Sequence, residues 1–167
     1  MAFPDDFSTA RLRAERLTSE HFEALCDMDR DPQFMGLLGG PRDAVQTAEY
    51  LAKNLQHWAD HGFGLWVLRD TDGRIVGRGA VRHLLVEDTD EVELGYGFYP
   101  EFWGRGLATE IAAAFLHVGR EQLGLPSLVA ITRHANVGSQ RVLIKTGLVH
   151  ERDIDHEGVP HMLYRSV

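Results

Sequence analysis

The stretch GFYPEFWGRGLATE, residues 97–110, constrains this chain more than any other. Val92, Leu94, Tyr96 and Phe98 alternate with Glu91, Glu93, Gly95 and Gly97, which predicts a half-buried strand over 91–99. Leu107, Ile111, Phe115 and Val118 recur at helical spacing and predict a helix ending near Gly124-Leu125-Pro126. Two glycines with an arginine between them therefore fall where a strand becomes a helix. The first amides of a helix lack intrahelical acceptors, and the helix dipole adds positive character there. Glycine lets an anion approach the backbone closely. With the charge of Arg105 and the hydroxyl of Thr109, the segment reads as an anion cradle, phosphate being the natural ligand class. A glycine-eased turn with no ligand is the competing reading. Gly95 and Gly97 carry the same ambiguity, since glycine inside a strand marks a bulge or a ligand's close approach.

Nucleotide motifs fit poorly. A Walker loop ends in Gly-Lys-Ser/Thr, which Gly106-Leu107-Ala108-Thr109 does not supply. A dinucleotide fingerprint needs a third glycine where Thr109 stands, and a large parallel sheet around it. The remaining elements argue against such a sheet. TARLRAERL (9–17) alternates as a strand, and Thr18 or Ser19 caps a short helix through about Asp29, with Phe22, Leu25 and Cys26 on one face. Residues 31–41 hold three glycines and two prolines and read as a loop. A helix over 43–60 presents Ala48, Leu51, Leu55 and Trp58. Strands 63–70 and 74–84 meet at Thr71-Asp72-Gly73, a hairpin signal. After the helix from Leu107 come a strand over 127–134, a helix over 137–146, and strands near 148–154 and 160–166. The order β-α-α-β-β-β-α-β-α-β-β predicts one α+β domain over 1–167, with a mixed, mostly antiparallel sheet.

Composition excludes more than it selects. The formal net charge of −8 speaks against nucleic acid as a partner, because phosphate binding leaves a basic footprint. It is compatible with a cationic acceptor and equally with a solubilising surface. No apolar run approaches a membrane span, and the acidic start Met1-Ala2-Phe3-Pro4-Asp5-Asp6 is unlike a signal peptide, so a cytoplasmic setting is expected. Cys26 is the only cysteine, and it falls on an apolar helix face, where packing outweighs nucleophilic use. His150, His156 and His161 cluster with Glu151, Asp153 and Glu157 in no metal-ligand spacing, so a surface cluster without metal is expected.

Trp103-Gly104-Arg105-Gly106-Leu107-Ala108 resembles the cofactor signature Gln/Arg-X-X-Gly-X-Gly/Ala of the GCN5-related N-acetyltransferases, with Trp103 in the first place as in the RimJ/RimL-like branch. TARLRAERLTSEHFEAL and NVGSQRVLIKTGLVHE resemble two further segments of that branch, so the likeness spans roughly 8–166. It implies acetyl-CoA as co-substrate, no metal, and direct attack by an amine acceptor, a small molecule or a protein N-terminus. It also implies that amides of Arg105 through Thr109 hold the diphosphate, that strand 91–99 pairs the pantetheine arm near Phe98, and that Asn136 bonds the arm. The Tyr96 amide, before an expected bulge, becomes the donor to the thioester carbonyl. Glu93 is the first choice of base and Glu91 the second, although a solvated carboxylate explains either. Many relatives protonate the leaving thiolate with a tyrosine on the last helix; 137–146 has none, and Ser139 stands where the branch carries its serine, to orient a water or the thiol, a plain helix-surface serine being the competing reading. The acceptor site is expected from 18–60, its glycine loop and the hairpin near 154–160. A homodimer is compatible with all of this. A coenzyme A-binding sensor without turnover is the alternative of a different class.

Overall fold

The strands of this chain join in a single sheet. The computed structural model describes residues 5–167; residues 1–4, counted above in the acidic start, lie outside the described residues. The first strands are β1 (Phe7–Ser8), β2 (Arg13–Arg16), β3 (Leu65–Arg69), β4 (Ile75–Val86) and β5 (Thr89–Phe98). They are followed by β6 (Val129–Arg133), β7 (Leu148–His156) and β8 (Val159–Ser166). The helices are α1 (Phe22–Arg30), α2 (Pro32–Met35), α3 (Ala44–His61), α4 (Leu107–Glu121) and α5 (Val137–Lys145). Sheet order is β1-β2-β3-β4-β5-β6-β8-β7, and every neighbouring pair is antiparallel except β5 with β6. The fold is therefore α+β with a mixed, mostly antiparallel sheet, as the element order predicts.

Local chemistry sets most boundaries. Asp72-Gly73 closes the β3–β4 hairpin, with Gly73 at φ +82°. Glu87 and Asp88, at φ +46° and +68°, make the two-residue turn into β5, the hand that matches strand twist. Asp43 caps α3 through the Gln46 amide at 2.8 Å, and Gly62 ends that helix in the left-handed region. Leu107, Ile111, Phe115 and Val118 are all buried, so the apolar stripe of α4 lies where its spacing puts it.

Three expectations need correction. Residues 9–12 are a turn, the Thr9 amide donating to the Leu12 carbonyl at 2.8 Å, so TARLRAERL folds β1 back onto β2 instead of running as one strand. The loop 31–41 contains α2, because the Asp31 carboxylate accepts from the amides of Gln33 and Phe34 at 2.9 and 3.1 Å and Pro32 suits the first helical turn. On α3 the buried residues are Thr47, Leu51, Asn54 and Trp58, with Ala48 exposed. The two polar members meet charged partners, Thr47 the Asp29 carboxylate of α1 and Asn54 the Arg82 guanidinium of β4, which an apolar count misses.

α1 to α3 cover the sheet face carrying Arg78, Arg82 and Glu93, and α4 and α5 cover the face carrying Gly79 and Tyr96. Gly97 is required by packing: a Cβ there would lie 2.9 Å from Leu38 and 3.1 Å from Phe34. Asp29, wholly buried on α1, binds Arg78 of β4 at 2.8 Å, Arg42 at 3.2 Å and the Thr47 hydroxyl at 2.8 Å, tying the helical layer to the sheet. Such a network is costly to break from one side. Cys26 is buried on α1, and burial followed by Glu23 pushes its thiol up, away from nucleophilic character. No helix among the described residues is long and apolar enough to cross a membrane.

Candidate active site

β5 and β6 pair only at Glu93 and Val129 and then separate. The chain continues from β5 through Pro100–Phe102 into Gly104-Arg105-Gly106 and α4, so the glycine loop stands at the open end of that gap. Gly104 and Gly106 adopt φ +72° and +78°, which explains both glycines on conformational grounds. Gly106 is the N-cap residue and offers no side chain, so the amides of Gly104 through Thr109 have no acceptor among the described residues. Six donors at the positive end of α4 are thus unpartnered. Thr109 and Ala108 are half-buried, Leu107 is buried, and Gly104, Arg105 and Gly106 are exposed.

A clamp that sequence reasoning missed holds this loop. Glu110 accepts from the Thr9 hydroxyl at 2.5 Å, the Arg11 amide at 2.8 Å and Arg11 Nε at 2.8 Å. Arg11 Nη1 also donates to the Arg105 carbonyl at 2.7 Å. No local signal marks Arg11, because its partner stands 99 residues away. Trp103, 56% exposed, donates its indole N–H to the Phe98 carbonyl at 2.8 Å, so its ring braces the loop against the end of β5.

Ladder phase decides which β5 amides face the gap. The Tyr99 amide donates to Val76 at 3.0 Å, and β4–β5 register runs unbroken from Gly77–Phe98 to Val86–Thr89. Antiparallel bonding alternates, so residues 97, 95 and 93 bond to β4 while the amides of Leu94, Tyr96 and Phe98 point toward β6. The expected bulge after Tyr96 is therefore absent; alternation and the parting of β6 turn that amide to the gap instead. Tyr96 sends its phenol to the α4–α5 face, where it meets the Ser139 hydroxyl at 3.1 Å. Burial pushes that phenol up to about 12, with Ser139 opposing. Asn136 caps α5 by accepting from the Ser139 amide at 3.1 Å.

A cavity of about 820 Å³ joins the gap to the opposite face. Tyr96, Asn136 and Ser139 line it on one side and Glu93, Arg82 and Tyr50 on the other. Glu93, 8% exposed, accepts from Arg82 Nε at 3.1 Å, and Arg82 Nη1 donates to Tyr50 Oη at 3.1 Å and to Asn54 at 3.0 Å. Burial acts to raise the Tyr50 phenol, yet Arg82, Arg78 and Arg42 together outweigh it and bring the group down to about 8. Glu91 lies outside the cavity, held bidentately by Arg165 at 2.9 and 3.0 Å. His156 and His161 line the cavity, their rings 5.4 Å apart, whereas His150 turns to Asp153, so the C-terminal histidines do not form one surface cluster. His57 and His83, unremarked in the sequence, also line the wall; the Phe63 carbonyl and the His83 amide occupy both nitrogens of His57. Burial and the neighbouring charges hold its imidazole below the usual range. No group of three or more metal-binding side chains among the described residues is placed to hold an ion.

The model of the acetyltransferase (GNAT) domain matches residues 11–149. FsC-acetyl coenzyme A-N(2)-transacetylase of Aspergillus fumigatus is 31% identical over 153 residues, 85% of this chain and 64% of that protein, so the chain spans less than two thirds of that relative. The crystal structure of an acetyltransferase from Agrobacterium tumefaciens is 27% identical, with a TM-score of 0.86 over 100% of this chain and 96% of that one. RimL, a ribosomal L7/L12 alpha-N-protein acetyltransferase solved with coenzyme A, shares the fold at a TM-score of 0.78 and 14% identity, covering 100% of this chain and 98% of that one.

Proposed function

The chain belongs to the acetyltransferase (GNAT) domain family, and from that premise we propose that it transfers the acetyl group of acetyl-CoA to a primary amine in a ternary complex, in the manner of the RimJ/RimL-like branch. The observation that carries the reading is the run of six unpartnered amides, Gly104 to Thr109, at the N-terminus of α4 beside the parting of β5 from β6. Donors so arranged fit a diphosphate, and acetyl-CoA held there supplies an acyl group activated as a thioester.

The remaining roles fall to residues around the gap. The Tyr96 amide points where it can donate to a carbonyl oxygen as charge develops on it. Glu93 takes the proton that an ammonium must lose before it can attack, directly or through one water, with Arg82 fixing the carboxylate. Tyr96 Oη and Ser139 Oγ form the hydrogen-bonded pair nearest the cofactor side and donate to the departing thiolate. The phenol thus comes from the strand, where many relatives carry a tyrosine on the last helix. Asn136 uses Oδ1 to cap α5 and keeps its amide nitrogen for the pantetheine arm. Trp103 and Phe98 shape the wall along which that arm runs.

Mixing the protein with acetyl-CoA and a panel of amines, with free thiol followed continuously, tests the proposal. Amine-dependent thiol release is expected. Tight acetyl-CoA binding with no release for any amine would replace a transferase by a sensor that only holds the carrier.

A further inference from the structure

We infer that the acceptor amine carries a carboxylate, seated between Arg42 and Arg82 at the helical end of the cavity. The inference rests on the acetyl-transfer reading and narrows its acceptor. Arg78, Ala80 and Arg82 project from one face of β4, and Arg42 reaches the same space from the segment between α2 and α3. All three guanidinium carbons lie against the Tyr50 ring, at 4.3 Å for Arg42, 4.9 Å for Arg78 and 5.7 Å for Arg82. Their counter-charges are two. Asp29 places one oxygen, Oδ1, against both Arg78 and Arg42, and Glu93 takes Arg82. The outer charged lining, Lys53 and Arg133 against Asp60 and Glu157, cancels.

One cation is therefore in surplus on this wall, in a chain whose net charge is −8. The surplus has hydrogen-bonding capacity to match. Nη2 of Arg42 and Nη2 of Arg82 have no hydrogen-bond partner among the described residues, and each side chain keeps 28% exposure toward the cavity it lines. A charge in a partly desolvated wall attracts its opposite more strongly than one in bulk water. Unused guanidinium N–H groups suit the paired oxygens of a carboxylate. The floor leaves room for such a group: a Cβ on Gly95, which pairs with Ala80 between Arg78 and Arg82, would meet nothing within 4 Å. That open floor leads along β5 to the gap faced by the Tyr96 amide, so an amine and its carboxylate can occupy the two ends.

Calorimetry on coenzyme A-saturated protein tests this without turnover. N-acetylleucine and N-acetylleucinamide differ only in the carboxylate, and the acid should bind about tenfold more tightly or better, roughly the weight of one such pair. The ratio should shrink as salt is raised. In Arg42→Gln it should fall to threefold or less, while Arg42→Lys, which keeps the charge and the buried fold around Asp29, should stay above threefold. Equal affinities, tighter binding of the amide, no binding of either, or an unchanged ratio in Arg42→Gln would overturn the inference. Thiol release with uncharged amines in the same preparation would still leave acetyl transfer standing, so the two failures are separable.

Discussion

Gly106→Ala puts the anion cradle to its sharpest test. The residue sits at φ +78°, and an alanine there carries a penalty of about 1–2 kcal/mol. Its Cβ would approach only Arg11 Nη2, at 3.4 Å, and a flexible arginine tip can give way. The loss of stability is therefore the backbone term alone, which lowers Tm by about 2–8 °C in a domain of this size. The alanine can relieve part of that strain only by rotating toward negative φ, against the Arg11 bond to the Arg105 carbonyl. That rotation turns away the peptide planes bearing the Gly106 and Leu107 amides. Two hydrogen bonds to a charged acceptor, at about 1.5–3 kcal/mol each, amount to a weakening of coenzyme A binding of about 10²–10⁴-fold. Gly124→Ala is the matched control, since Gly124 has φ +62° beyond the other end of α4 and an added Cβ meets nothing within 4 Å. It should lose similar stability and keep coenzyme A affinity. Calorimetry and thermal melts on both variants read the comparison, and equal coenzyme A affinity in the two would refute placement of the diphosphate on these amides.

Glu93→Gln should lower kcat by about 10²-fold with acetyl-CoA affinity retained, and a rate within twofold of the parent would remove Glu93 from proton transfer. Tyr96→Phe and Ser139→Ala should each lower kcat by about tenfold, the double variant no more than either, because both break one hydrogen-bonded pair; additive losses in thiol-release assays would contradict a shared role. Burial would raise the Glu110 carboxyl, but Thr9 and Arg11 outweigh it and hold the group below its ordinary 4.5. A depressed folded pKa gives stability that is present above the unfolded value and fades as pH falls through the folded one, so Glu110→Gln should cost about 1–3 kcal/mol at neutral pH and its gap from the parent should narrow in acid. Urea unfolding at both pH values measures it, and a constant gap would argue against the clamp. Tyr50 obeys the same sign at higher pH: with a folded value of about 8 against 10, its contribution appears only above pH 8. The parent should gain about 1 kcal/mol over Tyr50→Phe between about pH 7.5 and 9, and parallel curves would show that the three arginines do not act on the phenol.

Legibility in the sequence followed the range of the interactions concerned. Local signals were sufficient for the β3–β4 turn at Asp72-Gly73, the start of α3 near Asp43 and the stripe of α4, because each is decided within about four residues. The same holds for the glycine loop, whose φ values need only Gly104 and Gly106. Glu93, Tyr96 and Ser139 were singled out in the sequence and the structure sets all three on the cavity wall, although the meeting of the Tyr96 phenol with Ser139 spans 43 residues and had no local signal. Long-range charge pairing hid the rest. Thr47 and Asn54 look like surface residues on α3 until Asp29 and Arg82 are placed beneath them. Arg11 reads as one more surface cation until Glu110 arrives from α4.

β5 brings these separate features to one point. Its Glu93 side chain faces the arginine-lined cavity; its Tyr96 side chain faces Ser139; and its edge amides face the gap. A slip of one residue would exchange the two faces, sending a carboxylate to the α4–α5 face and a phenol to the arginine-lined face. Register is therefore as much a part of this site as any side chain. Ten consecutive pairs with β4 and the tight turn at Glu87-Asp88 hold it. Gly97 adds to it from above, since a Cβ there would press on Leu38 at 2.9 Å and Phe34 at 3.1 Å. The α1–α3 layer, pinned through Asp29, thus sets both the arginine-lined wall and the alignment of the strand that carries the Tyr96 amide and the Glu93 carboxylate.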